Sequence, residues 1–116
     1  MTDSSCLFCR VASRALPAEI VGERDGLLAF KDINPQAPVH LLVIPTEHLA
    51  SLADLTEAQT MLAGHMVQFA NRLSRQYQLT PSGYRLVFNC GPQAGQTVFH
   101  LHLHLLGGRV MRWPPG

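Results

Sequence analysis

The stretch Val98-Phe99-His100-Leu101-His102-Leu103-His104-Leu105-Leu106 alternates imidazole and apolar side chains through its centre. An extended strand turns successive side chains to opposite faces. His100, His102 and His104 are therefore expected to line one surface, with Leu101, Leu103, Leu105 and Phe99 on the other. Three of the chain's six histidines sit in this one segment, where a half-buried strand would ordinarily carry Thr, Ser or Lys. That concentration asks for imidazole chemistry. Neighbouring pairs could share an ion, but the full row cannot converge on one metal without bending, because positions 100 and 104 lie ~13 Å apart along a strand and Zn–N bonds are about 2.0–2.1 Å. A division of labour remains: one histidine acts as nucleophile, acid or base, and its neighbours orient it or bind charge. A neutral imidazole is available for this near pH 7, since its ordinary pKa is about 6.5.

Just upstream, Gly91-Pro92-Gln93-Ala94-Gly95-Gln96-Thr97 is an uncharged, glycine-rich turn. Glycines let main-chain N–H groups approach a ligand and form an anion-binding concavity. Thr97 adds a hydroxyl and Gln96 an amide, so a phosphate could be cradled there with its phosphorus presented to His102. Such a turn alone is usually only a loop. Ahead of three same-face histidines it points to phosphate chemistry.

The rest of the chain reads as one domain, 1–116, of α+β class: a five-stranded antiparallel sheet with one long and one short helix. Leu7–Arg14 forms the short helix, stopped before Pro17. Glu19–Gly22 and Leu27–Asp32 are strands joined at Asp25-Gly26, a strong hairpin signal. Val39–Ile44 is a third strand, ending at Pro45. Thr56-Glu57-Ala58-Gln59 is a capping box opening the long helix, whose apolar stripe runs through Leu62, Met66, Phe69, Leu73 and Tyr77. Thr80-Pro81 closes that helix, and Tyr84–Asn89 and Val98–Leu106 complete the strands. Short connections favour antiparallel pairing, with the helices gathered on one face. His40 could then neighbour the histidine strand.

Composition narrows the class further. With 47% hydrophobic and 15% charged residues among 116, the chain is a core-rich globule, and its low charge is one sign of large subunit interfaces. Nine basic against eight acidic residues leave a net charge of +1. The basic residues are dispersed, so no nucleic-acid surface is expected. No apolar stretch nears the ~20 residues that span a bilayer, and Met1-Thr2-Asp3-Ser4-Ser5 lacks the basic and apolar regions of a leader. Three cysteines, two at metal spacing, suit a reducing cytoplasm.

The run His100-Leu101-His102-Leu103-His104-Leu105-Leu106 resembles the His-x-His-x-His-x-x signature of the histidine triad family of nucleotide hydrolases and transferases. The similarity extends through Phe30-Lys31-Asp32-Ile33-Asn34-Pro35-Gln36-Ala37-Pro38-Val39-His40, through Gly95–Phe99, and into the ending Leu106-Gly107-Gly108-Arg109 and Trp113-Pro114-Pro115-Gly116. That ending is similar to the Hint branch, the nucleoside phosphoramidases. A third histidine, His104, in place of glutamine argues against the galactose-1-phosphate uridylyltransferase branch.

The resemblance implies a purine nucleoside phosphoramidase that converts nucleoside 5′-phosphoramidates, adenosine type favoured, to monophosphate and amine through a nucleotidyl-histidine intermediate. Its substrates would be AMP or GMP conjugates. His102 would be the nucleophile, with His104 and His40 polarising the phosphate or handling protons. Asn89, Gln96, Thr97 and the backbone at Val98 would hold the phosphate oxygens. Asp32 would accept from the ribose hydroxyls, and Leu7, Phe8, Val11, Phe30 and Ile33 would enclose the base. Thr97 stands where the branch often has serine, which adds a methyl beside the leaving group. The resemblance also implies a homodimer, with the tail carrying Trp113 to the partner's active site. Plainer readings exist for several residues. Asp32 starts a turn, Asn89 caps a strand end, Phe8, Phe30 and Ile33 are core, and His65 is structural.

Cys6-Leu7-Phe8-Cys9 spaces two thiols for one zinc, and a structural site needs two further ligands. The resemblance implies His48 and His100 as those ligands beside Cys6 and Cys9, in a structural zinc site not required for catalysis. A redox pair, or two plain buried thiols, are the alternatives, and Cys90 reads as packing. Rival functions are a dinucleoside polyphosphate hydrolase of the same family, a nucleotide-binding regulatory or scaffold protein with weak catalysis, and a zinc-dependent hydrolase, which the strand geometry disfavours.

Overall fold

The computed structural model describes residues 3–116; Met1 and Thr2, part of the leader reading, lie outside the described residues. The elements are α1 (Leu7–Ala12), β1 (Ile20–Arg24), β2 (Leu27–Lys31), β3 (Val39–Pro45), α2 (Thr60–Gln76), β4 (Tyr84–Phe88) and β5 (Leu103–Gly107). The five strands form one antiparallel sheet in the order β1-β2-β3-β5-β4. Asp25 and Gly26 both take positive φ, 48° and 80°, the two-residue hairpin turn that twists with its strands.

Both faces of the sheet are covered. Odd-numbered positions, Leu27, Ala29, Leu41, Val43, Leu103 and Leu105, pack with Met66, Phe69, Ala70 and Leu73 of α2. Even-numbered positions, Leu28, Phe30, Leu42 and Ile44, pack with Phe8 and Val11 of α1. The helices therefore lie on opposite faces, not together as the short connections suggested. This near-continuous burial of β2 and β3 is what two-sided strands require. The even face is the one that carries the site.

Two element ends differ from the sequence reading. α2 stops at Gln76, before Thr80-Pro81, because Gln78 takes a left-handed φ of 57° and the Leu79 N–H returns to the Ser74 carbonyl at 2.8 Å. The Gln59 side chain does reach back to the Thr56 N–H at 2.9 Å, capping a 3-10 turn, Glu57–Gln59, that leads into α2. The larger difference is in the histidine segment. β5 begins at Leu103, not Val98, so only His104 of the three lies on a strand, and Phe99 is 52% exposed. The β3–β5 register ends with Val43 opposite Leu103. Continued, it would set Pro45 against Leu101, and proline has no N–H to give a ladder. The Leu101 N–H bonds instead to the Leu49 carbonyl at 2.6 Å.

Candidate functional site

His40 on β3 and His104 on β5 occupy neighbouring strands on the even face, and their rings meet. His40 Nε2 and His104 Nδ1 are 2.9 Å apart. The proton between them can be assigned from the surroundings. The Gln36 main-chain N–H donates to His40 Nδ1 at 3.1 Å, so a neutral His40 carries its own proton on Nε2. His104 Nδ1 then accepts, and its proton sits on Nε2. Burial, then the neighbouring His102 and His40, pushes His104 down to about 4, and burial lowers His40 as well. Both rings are neutral near pH 7.

His102 is tied by a different bond. Its Nδ1 lies 2.7 Å from the His100 carbonyl, an acceptor only, so Nδ1 holds the proton and Nε2 keeps a free lone pair. The ring packs edge-on to Phe8 and to His104, with centroids 5.1 and 5.0 Å away. The three imidazoles thus turn one ring nitrogen free of protein partners, His102 Nε2, and one N–H donor, His104 Nε2, away from their mutual hydrogen bonds.

These rings form one wall of a cleft of about 610 Å³, within the usual range for small-molecule sites. Leu7, Phe8, Val11, Phe30, Ile33 and Val98 form the apolar side, and Asp32 and Thr97 the polar rim. Asp32 does two things at once. Its Oδ1 accepts the Asn34 N–H at 2.8 Å, the turn reading, and its Oδ2 lies 3.4 Å from His40 Nε2. Gly95 of the glycine-rich turn lines the cleft as well, and so do Gln36 and Leu42, which the sequence reading did not include as site residues. Leu42 shares parity with His40 and could have been found that way. Gln36 contributes through its main chain, which no side-chain pattern reveals.

Other expected residues fall elsewhere. Gln96 is buried and staples its loop, donating to the Ala50 and Val98 carbonyls and accepting from Gly91 N–H. Asn89 follows β4, half-buried, and neither it nor Gln96 is among the cleft-lining residues. Trp113 is 83% exposed in the tail. His65 is exposed on α2, remote in kind from the triad, and Cys90 is half-buried after β4.

Cys6, Cys9, His48 and His100 converge, their ligand atoms all within 4.8 Å of one another. His100 Nδ1 lies 3.3 Å from Cys6 Sγ and 3.5 Å from Cys9 Sγ, and His48 Nδ1 lies 3.3 Å from Cys9 Sγ. Tetrahedral zinc with ordinary Zn–S and Zn–N bonds sets S and N ligands roughly 3.5 Å apart, so these residues fit the ion. His100 Nε2–H donates to the Pro45 carbonyl at 2.8 Å, which leaves Nδ1 unprotonated and facing the sulfurs, the orientation second-shell bonds give a ligating histidine. Burial pushes the Cys9 thiol up, so a thiolate there calls for a cation. Asp32, His40 and His104 also converge, but the Gln36 N–H keeps the His40 proton on the nitrogen a metal would need. One cluster is set for a metal and the other for protons.

Comparison with known proteins agrees in scale with this geometry. The HIT domain profile matches residues 13–111. An uncharacterized HIT-like protein of Synechococcus elongatus is 50% identical over 110 residues, covering 95% of this chain and 96% of the relative. The 14 kDa zinc-binding protein of Zea mays is 42% identical over 118 residues, covering all of this chain and 91% of its own. Among solved structures, the HIT family hydrolase from Legionella pneumophila superposes with a TM-score of 0.93 at 49% identity, covering 96% of this chain and 99% of that one.

Proposed function

This chain belongs to the HIT domain family, and from that premise we propose that it is a purine nucleoside phosphoramidase with His102 as its nucleophile. The observation that carries the reading is the 2.7 Å contact of His102 Nδ1 with the His100 carbonyl, which leaves Nε2 as the nitrogen available for attack beside the His40–His104 pair in an apolar cleft. In the reaction, that lone pair forms a bond to the α-phosphorus as the bond from phosphorus to the leaving nitrogen breaks. The anionic phosphoryl group raises the proton affinity of the imidazoles around it, so the His40–His104 pair takes up one proton from solvent as substrate binds, and His104 passes that proton to the departing amine and becomes neutral again. Water then attacks phosphorus, the N–P electron pair returns to His102 Nε2, and the proton lost by water restores His104. Splitting one displacement into two lowers each barrier.

Phe8, Val11, Phe30 and Ile33 stack a purine, adenine or guanine, and Asp32 Oδ2 takes the ribose hydroxyls. Thr97 and the Val98 main chain hold phosphate oxygens. Zinc is bound by Cys6, Cys9, His48 and His100, where it ties α1 to the segment after β3 and the segment before β5 and supplies structural cross-linking. Free thiols of this kind suit a cytoplasmic setting. The working form is a homodimer: β4 is an outer strand of the sheet, and Val110 and Trp113 leave apolar surface for a second copy to cover.

The test offers a fluorogenic adenosine phosphoramidate, ADP and diadenosine polyphosphates to wild type and His102→Ala. Turnover of the phosphoramidate in the wild type alone, with AMP binding kept in both, supports the reading. Equal turnover by His102→Ala ends it, and preference for the polyphosphates moves the activity to the phosphoanhydride-cleaving class.

A further inference from the structure

We infer that His100 is a positioning residue that couples the zinc cluster to the nucleophile: holding its side chain fixes the main-chain carbonyl that sets the tautomer and ring plane of His102. The inference rests on the zinc and nucleophile readings above and gives the metal a role that neither contains.

The two ends of His100 are engaged in different sites. Its imidazole Nδ1 faces Cys6 and Cys9 at 3.3 and 3.5 Å, with Nε2–H on the Pro45 carbonyl at 2.8 Å. Its own carbonyl accepts the His102 Nδ1–H at 2.7 Å. The residue is 0% exposed, so neither interaction can be replaced by bulk water.

What makes the side chain matter is the missing ladder. A carbonyl within a sheet is aimed by hydrogen bonds on both sides, but β5 starts only at Leu103. Residues 98–102 are irregular. Their main chain is held by Leu101 N–H on the Leu49 carbonyl, 2.6 Å. The metal-facing ring of His48 stands next to Leu49 in the chain and 5.1 Å from the His100 ring. Metal binding therefore draws together the same two segments that this bond joins at residue 101 and that the Gln96 amide bridges further back, at the Ala50 and Val98 carbonyls. Without the metal, the peptide that carries the His100 carbonyl keeps only its hydrogen bonds, its carbonyl can tilt, and His102 can carry its proton on either nitrogen. A ring with the proton on Nε2 has no lone pair to offer phosphorus. Displacement of a reacting group by about 1 Å already costs on the order of a hundredfold in rate.

A merely structural metal would act otherwise. It would hold α1, whose N-cap is Cys6 and whose Phe8 and Val11 line the base slot, so its loss would weaken nucleotide binding and leave the His102 tautomer alone. The two roles separate in one experiment. Histidine-15N-labelled protein is studied zinc-loaded and after chelation, with metal content measured in each sample and His102 signals assigned by comparison with His102→Ala. The expected result is a single Nδ1–H tautomer with zinc, and a mixture without it. The kcat for an adenosine phosphoramidate should fall tenfold or more on chelation, with AMP affinity changed less than threefold, both reversing when zinc is returned. A zinc-free sample that keeps the single tautomer, or that loses only in KM, overturns the coupling.

Protein that takes up no zinc refutes the metal reading and the coupling with it. A zinc-loaded protein inert toward phosphoramidates refutes the catalytic reading alone, and the tautomer measurement still decides whether His100 transmits occupancy. If chelation unfolds the chain, exchanging zinc for the larger cadmium ion keeps the fold. Displaced His102 ring signals then support the coupling, and identical spectra overturn it.

Discussion

The Nδ1–H of His102 donates to the main-chain carbonyl of His100 at 2.7 Å, and that bond decides which ring nitrogen can attack. An adduct formed at Nε2 should therefore be trapped on a peptide containing residue 102. Mixing wild type with substrate, quenching in alkali, where phosphorus–imidazole bonds survive, and analysing by mass spectrometry should show one nucleotidyl mass there. His102→Ala should show none and should lose at least about a thousandfold in turnover, as removing a covalent nucleophile does. A nucleotidyl mass on another residue would refute the assignment.

Asp32 offers one oxygen to its own turn and the other to the cleft. Asp32→Asn keeps an acceptor for the Asn34 N–H but removes the charge facing the ribose. A hydrogen bond to a charged group is worth about 1.5–3 kcal/mol, so kcat/KM for a ribonucleoside substrate should fall roughly ten- to a hundredfold. The 2′-deoxy substrate should lose less. Comparing the two sugars in wild type and variant checks this, and an equal loss for both would assign Asp32 to the turn alone.

Much of this site could be read from parity. Alternation placed His102 and His104 on one side and Leu101, Leu103 and Leu105 on the other, and for Leu101 and His102 it held even where the backbone leaves the strand, while Phe99, expected with the leucines, turns out to the surface. The hairpin at Asp25-Gly26 followed from the φ demands of a two-residue turn. The start of β5 did not follow, because the interruption is caused by Pro45, which lies opposite only in the folded sheet. Gln96 has the right chemistry for a phosphate, yet its amide is spent on the Ala50 and Val98 carbonyls, partners that no local pattern announces. The placement of α1 on the far face was hidden for a related reason: β2 and β3 are apolar at nearly every position, so periodicity cannot say which side a helix takes.

The depressed His104 pKa has a consequence for stability. The folded value is about 4, below the ordinary 6.5, so between these values the unfolded chain binds more protons than the native one. Stability from this group is then full above pH 6.5 and is lost as pH falls through that window. The scale is about 2–3 kcal/mol, from 1.36 kcal/mol per unit and an allowance for partial solvent contact. Denaturant titrations of wild type and His104→Gln from pH 7.5 to 4.5 should show the wild type losing more stability on acidification. Parallel curves would show that burial leaves this imidazole unperturbed.

Gly108 and Gly64 should answer alanine in opposite ways. Gly108, just past β5, has φ of +89°, and a Cβ there would lie 2.9 Å from Pro38 Cβ. Pro38 belongs to the loop whose Gln36 N–H fixes the His40 proton, and Arg109 Nε donates to the Gln36 carbonyl at 2.9 Å. Gly108→Ala therefore combines backbone strain of about 1–3 kcal/mol with a push on the loop that sets the imidazole relay. Both stability and kcat should drop. Gly64, inside α2, has nothing within 4 Å of an added Cβ, so Gly64→Ala should stabilise by roughly 0.5–1 kcal/mol with kcat unchanged. Thermal melts and steady-state rates on the two variants measure both effects. A Gly108→Ala protein that melts lower yet turns over normally would separate the loop's packing from its hold on His40.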